Sequence, residues 1–242
     1  METTVVTGAT SSIGREIVKN LIDKGDIVHA FVRDIPKSKK LLPINNKNLN
    51  LIEFDNDSID ELDSIFKKIT ENFFIKTLVC CHGSHSFKLI SNIDVNHIDK
   101  LIFDNFTSAV MFVKIFSNIR NKLKVKRSII LFGSTAAVKG EAGISIYSAA
   151  KSSLIAFTAS ASKELARKKI RINTVSPGWV ISDRSIKNES TLGVERIKNI
   201  ESKYPAGFGF PKDISGLVYF LLEDDSNWIN GQNLVIDGGF SS

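Results

Sequence analysis

Short β-branched runs alternate with longer stretches of helical period along the whole chain. TTVVTG (3–8) predicts a strand. SIGREIVKNLIDKG (12–25) then places Ile13, Ile17, Leu21 and Ile22 on one helical face and stops at Gly25. IVHAFV (27–32) and LNLIEF (49–54) predict the second and third strands. DSIDELDSIFKKI (57–69) opens on capping residues and carries Ile59, Leu62, Ile65, Phe66 and Ile69 at helical spacing. TLVCC (77–81) and RSIILF (127–132) predict strands four and five, and a long helix fits 145–168. IRINTV (170–175) is strand six, KDISGLVYFLLED (212–224) a helix and QNLVID (232–237) the last strand. Strands too apolar to leave one face in water, separated by helices, predict a doubly wound parallel sheet of the Rossmann-like α/β class with helices on both faces. No repeat, low-complexity tract or linker interrupts the order, so residues 1–242 read as a single domain. The stretch 177–211 lacks clear periodicity, and a substrate loop or lid is expected at about 179–210.

Composition narrows the classes. Hydrophobic residues at 43% and charged residues at 24% describe a globular chain with material for one core. The net charge of +6 admits a solvated surface or an acidic partner, but no basic stripe with interleaved aromatics argues for nucleic acid. The most apolar segment, LIFDNFTSAVMFVKIF, is broken by Asp104 and Lys114, so no membrane span is expected. METTVVTG has neither the basic nor the apolar region of a secretory signal, and the two cysteines, Cys80 and Cys81, form no disulfide framework. A reducing cytoplasm is the expected compartment.

The first strand runs straight into TGATSSIG (7–14) and a helix. A Gly-rich turn in that setting lets backbone approach a pyrophosphate, whose charge the helix N-terminus stabilises. Gly8, Ser11, Ser12, Ile13 and Gly14 are the expected contacts, with Ser12 where a middle glycine would stand. The second strand ends in AFVRD; Arg33 suits a ribose 2′-phosphate where an acid would suit a free 2′-hydroxyl.

In GSTAAVKGEAGISIYSAAKSSL (133–154), Tyr147 and Lys151 are four residues apart and project from one helical face. An ammonium beside a phenol favours the phenolate, which makes Tyr147 a usable proton donor or acceptor near neutrality. Ser134, at the end of strand five, can bond the same reacting oxygen.

Together these motifs resemble the short-chain dehydrogenase/reductase family, in its small single-domain branch, from end to end. The family's glycine turn resembles TGATSSIG, and its active-site Ser, Tyr and Lys fall on Ser134, Tyr147 and Lys151. Its helix-borne Asn, which anchors a relay water, falls on Asn105. Asp55 with Asn56 matches the residues that meet adenine, and Cys81 and Gly83 lie on the turn beside the adenine ribose. Pro177, Gly178, Val180 and Ser182 match the segment after strand six, and Gly231, Gln232, Asp237, Gly238 and Gly239 the closing motifs. The resemblance implies hydride transfer between a nicotinamide and a carbonyl or alcohol carbon. Tyr147 and Lys151 would also touch the cofactor, with NADP(H) favoured over NAD(H) because of Arg33. The basic residue that NADP-preferring members often place before the second glycine is absent, that slot being Ser11. It also implies a homotetramer or dimer. A non-catalytic dinucleotide-binding regulatory protein of the same fold is the alternative.

The pattern is nearest to bacterial β-ketoacyl-(acyl carrier protein) reductases, which implies a small-molecule or carrier-bound carbonyl substrate. Lys163, Arg167, Lys168 and Lys169 would face an acidic acyl carrier protein, or equally form a solvated helix end. Two departures point to a specialised pathway: Phe208 stands where the family usually has Arg, and the Asn-Asn-Ala-Gly turn is replaced by Cys80, Cys81, His82 and Gly83. Neighbouring strand side chains point to opposite faces and no second Cys/His group exists, so these residues predict no metal site. They read as an altered cofactor-side turn.

Overall fold

The computed structural model describes residues 1–120, 125–183, 185 and 193–242. Strands β1 (Glu2–Thr7), β2 (Val28–Val32), β3 (Leu49–Glu53), β4 (Phe74–Cys80), β5 (Arg127–Phe132), β6 (Ile170–Pro177) and β7 (Asn233–Ile236) form one seven-stranded sheet. Its order is β3-β2-β1-β4-β5-β6-β7, and every pairing is parallel. The alternation of strands and helices therefore gives the doubly wound sheet expected of it.

Neighbouring strand residues bury against different layers, the period-2 consequence of a sheet covered on both sides. Val5, Leu78 and Ile129 join the core under α3 (Leu62–Asn72), α5 (Ser108–Asn118) and α7 (Ser145–Ala166). Val6, Val79 and Ile130 join the core under α1 (Ser12–Asp23) and the C-terminal helix Pro211–Leu222. In the first layer Phe31, Phe54, Phe66 and Phe112 meet with ring centroids 5.4 to 6.0 Å apart, mostly edge to face. Such pairs add roughly 0.5–1.5 kcal/mol each beyond area burial.

The strand order reverses between β1 and β4, so the crevice beyond their carboxyl ends is where such a sheet receives ligands. The residues expected to act lie along this edge.

Several elements differ from the sequence expectation. A short helix, α2 (Ile35–Ser38), follows β2, started by Asp34, whose carboxylate accepts the Lys37 N–H at 2.9 Å. The segment expected as one helix over 57–69 begins as a 3-10 turn, Asn56–Glu61, before α3. Between β4 and β5 lie α4 (Val95–Ile102), a π-helical turn (Phe103–Thr107) and α5, none of which the sequence delimited; α5 is apolar nearly all round and so shows no clean stripe. After β5 comes the short α6 (Ala136–Lys139). The stretch without clear periodicity holds α8 (Val194–Glu201), a charged helix with a weak apolar stripe, ahead of α9 (Pro211–Leu222). Residues 184 and 186–192 of the expected lid lie outside the described residues. No described helix is long and apolar enough to cross a membrane.

Candidate active site

The turn between β1 and α1 is held by its own atoms. Ser11 caps the helix: its hydroxyl accepts the Gly14 N–H at 3.0 Å and donates to the Gly8 carbonyl at 2.8 Å. Gly8 has φ +63°, and a side chain there would meet the Cys81 carbonyl and the His82 nitrogen at 2.7 Å. At Gly14 a Cβ would lie 2.2 Å from the Gly8 oxygen. Only glycines allow this closeness, and the result is a bare backbone cradle at a helix N-terminus.

The neighbouring Cys80–Gly83 turn closes on that cradle. Cys80 is buried in the core, whereas Cys81 turns toward the crevice with its sulfur 3.8 Å from the Ser11 hydroxyl. Burial pushes the Cys81 thiol up to about 11, so it stays protonated at neutral pH. His82 braces this turn from inside. One ring nitrogen, Nδ1, meets the Thr7 hydroxyl at the end of β1, and Nε2 meets the Ser108 hydroxyl at 2.8 Å at the start of α5. Ser108 spends its own hydrogen on the Asp104 carbonyl, so its oxygen accepts from Nε2–H and Nδ1 accepts from Thr7. Burial, aided by the Lys151 charge, holds the His82 imidazole down to about 4, and the ring is neutral.

Asn105 sits inside the π turn. The wider turn lets its side-chain NH₂ bond the Leu101 carbonyl at 3.0 Å and the Ser84 carbonyl at 2.9 Å. Its carbonyl oxygen is buried and has no partner. A Cβ on Gly83 would lie 2.5 Å from that oxygen and 3.3 Å from Lys151 Nζ, so the two groups approach one small space that only glycine leaves open. Lys151 is buried, donates to the Phe132 carbonyl at 2.8 Å and stands 5.9 Å from the Tyr147 ring centre. The i,i+4 spacing on α7 thus brings Tyr147 and Lys151 to one face. Ser134 follows β5 and accepts the Ala136 N–H at 3.1 Å.

Ser134, Tyr147, Lys151 and Asn105 line a single cavity of ≈ 420 Å³. Of the residues expected to hold a cofactor, Ser11, Ser12, Ile13, Cys81, Gly83, Pro177, Gly178, Val180 and Ser182 line the same cavity. Gly8 and Gly14, at the base of the turn, do not, nor do Arg33, Asp55 and Asn56, three residues set farther off. They follow β2 and β3, whose last residues, Val32 and Glu53, pair across the sheet, so they stand together farther along the same edge.

Sequence reasoning did not single out Arg15, Asp183 or Trp179, nor the contacts that His85 and Phe208 make. Arg15 grips Asp183 through two nitrogens, at 2.8 and 3.1 Å, and the Asp183 N–H donates to the Ser12 hydroxyl at 3.1 Å. This pins the start of the segment after β6 onto the glycine turn. His85 lies edge-on to Tyr147, ring centres 4.8 Å apart. Phe208 stacks on Trp179 at 5.3 Å, which gives the lost arginine position an aromatic role. None of these pairs has a local spacing that a sequence could display.

A family model described as Enoyl-(Acyl carrier protein) reductase matches residues 8–241. Carbonyl reductase family member 4 of Xenopus tropicalis is 32% identical over 97% of this chain and 95% of its own length. The 3-oxoacyl-[acyl-carrier-protein] reductase FabG of Salmonella typhimurium is 30% identical over 97% of this chain and 95% of its own length. Among solved structures, ElxO with NADP bound superposes with a TM-score of 0.90 at 25% identity, covering 99% of both chains.

Proposed function

This chain belongs to the short-chain dehydrogenase/reductase family, and from that premise we propose that it is an NADP(H)-dependent ketoreductase acting through Ser134, Tyr147, Lys151 and Asn105. The observation that carries the reading is the buried, partnerless oxygen of Asn105 beside Lys151 Nζ. An unmet buried acceptor costs about 1–3 kcal/mol, and a bound relay water at that point would remove the cost.

The residues fit a dinucleotide. Gly8 and Gly14 leave room for a pyrophosphate at the N-terminus of α1. Arg33 is exposed and in no ion pair among the described residues, so its guanidinium is open to a 2′-phosphate. When bound, the nicotinamide supplies the hydride. The Tyr147 hydroxyl gives its proton to the carbonyl oxygen, while the Ser134 hydroxyl holds that oxygen by a hydrogen bond. The Lys151 ammonium stabilises the charge left on Tyr147, and a water on Asn105 Oδ1 returns the proton from solvent. Solvent therefore restores the proton after each turnover.

The decisive experiment screens carbonyl compounds, acyl thioesters included, against NADPH and NADH while following reduced-nicotinamide absorbance. Consumption of NADPH with at least one carbonyl is expected, and failure of both cofactors to bind would remove the reading. Arg33→Ala is expected to raise the KM for NADPH about 30-fold and to leave NADH nearly unaffected, since a charge-assisted bond to phosphate is worth roughly 2 kcal/mol. An unchanged NADPH-to-NADH ratio of kcat/KM would show that Arg33 does not read the phosphate.

A carrier-bound substrate has separate support. Exposed Arg167, Lys168 and Lys169 at the end of α7 are joined by Arg120 around a second cavity of ≈ 480 Å³, with Arg127 buried beneath against the Phe116 ring. Lys168 also donates to the Ser117 carbonyl at 3.1 Å, a helix-end role for α5 that accounts for one of these charges without a partner. Reversing Arg120 and Arg167 to Glu is expected to raise the KM for a thioester on acyl carrier protein about tenfold relative to the same thioester on N-acetylcysteamine. A constant ratio between the two would argue against carrier docking. Half-exposed Val110 and Met111 on α5 and Ile155 on α7 support self-association through these helices. Free Cys80 and Cys81 suit the reducing cytoplasm proposed for it.

A further inference from the structure

We propose that Glu141 selects the substrate, requiring a hydrogen-bond donor, hydroxyl or ammonium, beyond the reacting carbonyl and excluding anionic compounds. This rests on the ketoreductase reading of the same cavity and specifies what that cavity accepts.

Glu141 lines the cavity together with Ile144, Trp179 and Tyr204. Among the described residues its exposed side chain makes no hydrogen bond and no ion pair, so both carboxylate oxygens are available to a ligand. Its loop is fixed rather than trailing in solvent. The Lys88 N–H donates to the Gly143 carbonyl at 2.7 Å, and the Phe87 ring lies where a side chain on Gly143 would have to go. The Glu141 charge reaches the interior of this end. Burial raises the Tyr204 phenol, and the carboxylates of Glu141 and Asp237 push it the same way. Tyr204 itself is occupied by the Trp179 N–H and the Thr135 hydroxyl, and it stacks on Phe240 at 4.5 Å. The wall is therefore aromatic, with one solvent-facing carboxylate that no protein donor pairs among the described residues.

A carboxylate accepts and never donates, so what it recognises is an O–H or N–H. Trp179 and Tyr204 offer flat apolar surface to the C–H side of the same molecule. An anionic group would meet like charge. Lys151 is the one permanently cationic side chain lining the cavity among the described residues, and it is buried and bonded to the Phe132 carbonyl. Lys139 stands over the Phe240 ring and His85 against Tyr147.

The test uses the full chain with saturating NADPH and ketones of matched size: L-erythrulose, 2-butanone, 2-oxobutanoate and aminoacetone. The expected kcat/KM for erythrulose or aminoacetone exceeds that for butanone by about tenfold, with 2-oxobutanoate below all three. Whichever of the first two gains more identifies the donor as hydroxyl or ammonium. Glu141→Ala should erase the gain and Glu141→Lys should bring 2-oxobutanoate ahead, with NADPH fluorescence titration reporting that the variants are folded. A wild-type preference for butanone or 2-oxobutanoate, or a gain surviving Glu141→Ala within twofold, overturns the proposal. If NADPH binds but no ketone is reduced, the ketoreductase reading fails separately. Calorimetry of threitol and 1-amino-2-propanol on the NADP⁺-loaded chain then decides. Binding of either that Glu141→Ala abolishes sustains the proposal, and equal binding or none overturns it.

Discussion

Tyr147→Phe is expected to lower kcat by about 10³-fold on any carbonyl that the wild-type chain reduces, with NADPH binding retained. The substitution deletes one oxygen and keeps the ring. The edge contact with His85 and the packing at the start of α7 survive. Lys151 is held by the Phe132 carbonyl independently of the phenol, so its ammonium stays in place. What disappears is the proton donor to the developing alkoxide, an interaction made only in the transition state. Such a loss lowers kcat and kcat/KM together. Retained NADPH binding with turnover within threefold of wild type would show that another group supplies the proton, and the mechanism above would have to be abandoned.

The second large effect is on stability in acid. His82 and His29 are both held neutral by burial, each lowered from 6.5 to about 4. His29 lies beside the Thr3 hydroxyl at 2.8 Å and edge-on to Phe73 at 4.8 Å. The unfolded chain protonates both near pH 6.5, and the folded chain only near 4. Stability is therefore complete above about pH 6.5 and falls steadily as pH drops toward 4, where the unfolded state holds the extra protons. After allowance for partial solvent access, each ring contributes roughly 2 kcal/mol of this loss, a large share of ordinary domain stability. Urea unfolding from pH 7 to pH 4.5 is expected to show the decline, and a His82→Asn, His29→Gln double variant a shallower one. A flat unfolding free energy over that interval, or imidazole resonances titrating near 6.5, would refute the assignment.

The parts of this site that were legible share short range. Gly8 and Gly14 announce themselves because a strand, a turn and a helix follow within one run. Tyr147 and Lys151 do so because four residues make one helical turn. The four-residue turn of Cys80, Cys81, His82 and Gly83 was visible as a departure, but its meaning was not. Whether His82 braces or disrupts depends on Thr7 and Ser108, which are distant in sequence and brought to it by β1 and α5. Phe208 likewise read as a lost arginine until Trp179 was found stacked on it. The helix that follows Asn105 was hidden for a different reason. A run that is apolar nearly all round, and widened by a π turn, has no clean 3.6-residue stripe to detect.

By itself, then, the sequence determined the alternation of strands and helices, the parallel two-faced sheet, the glycine turn ahead of α1 and the placing of Tyr147 and Lys151 on one helical face. These follow from the 2.0 and 3.6 periods and from what glycine, serine and lysine can do locally. The tertiary structure alone decided that Arg15 ties down Asp183, that the Asn105 oxygen is left without a partner beside Lys151, and that Glu141 faces the cavity bare. Each of those depends on segments far apart in the chain meeting at one edge of the sheet. Which side chains meet there is fixed by packing in three dimensions, which no local period encodes.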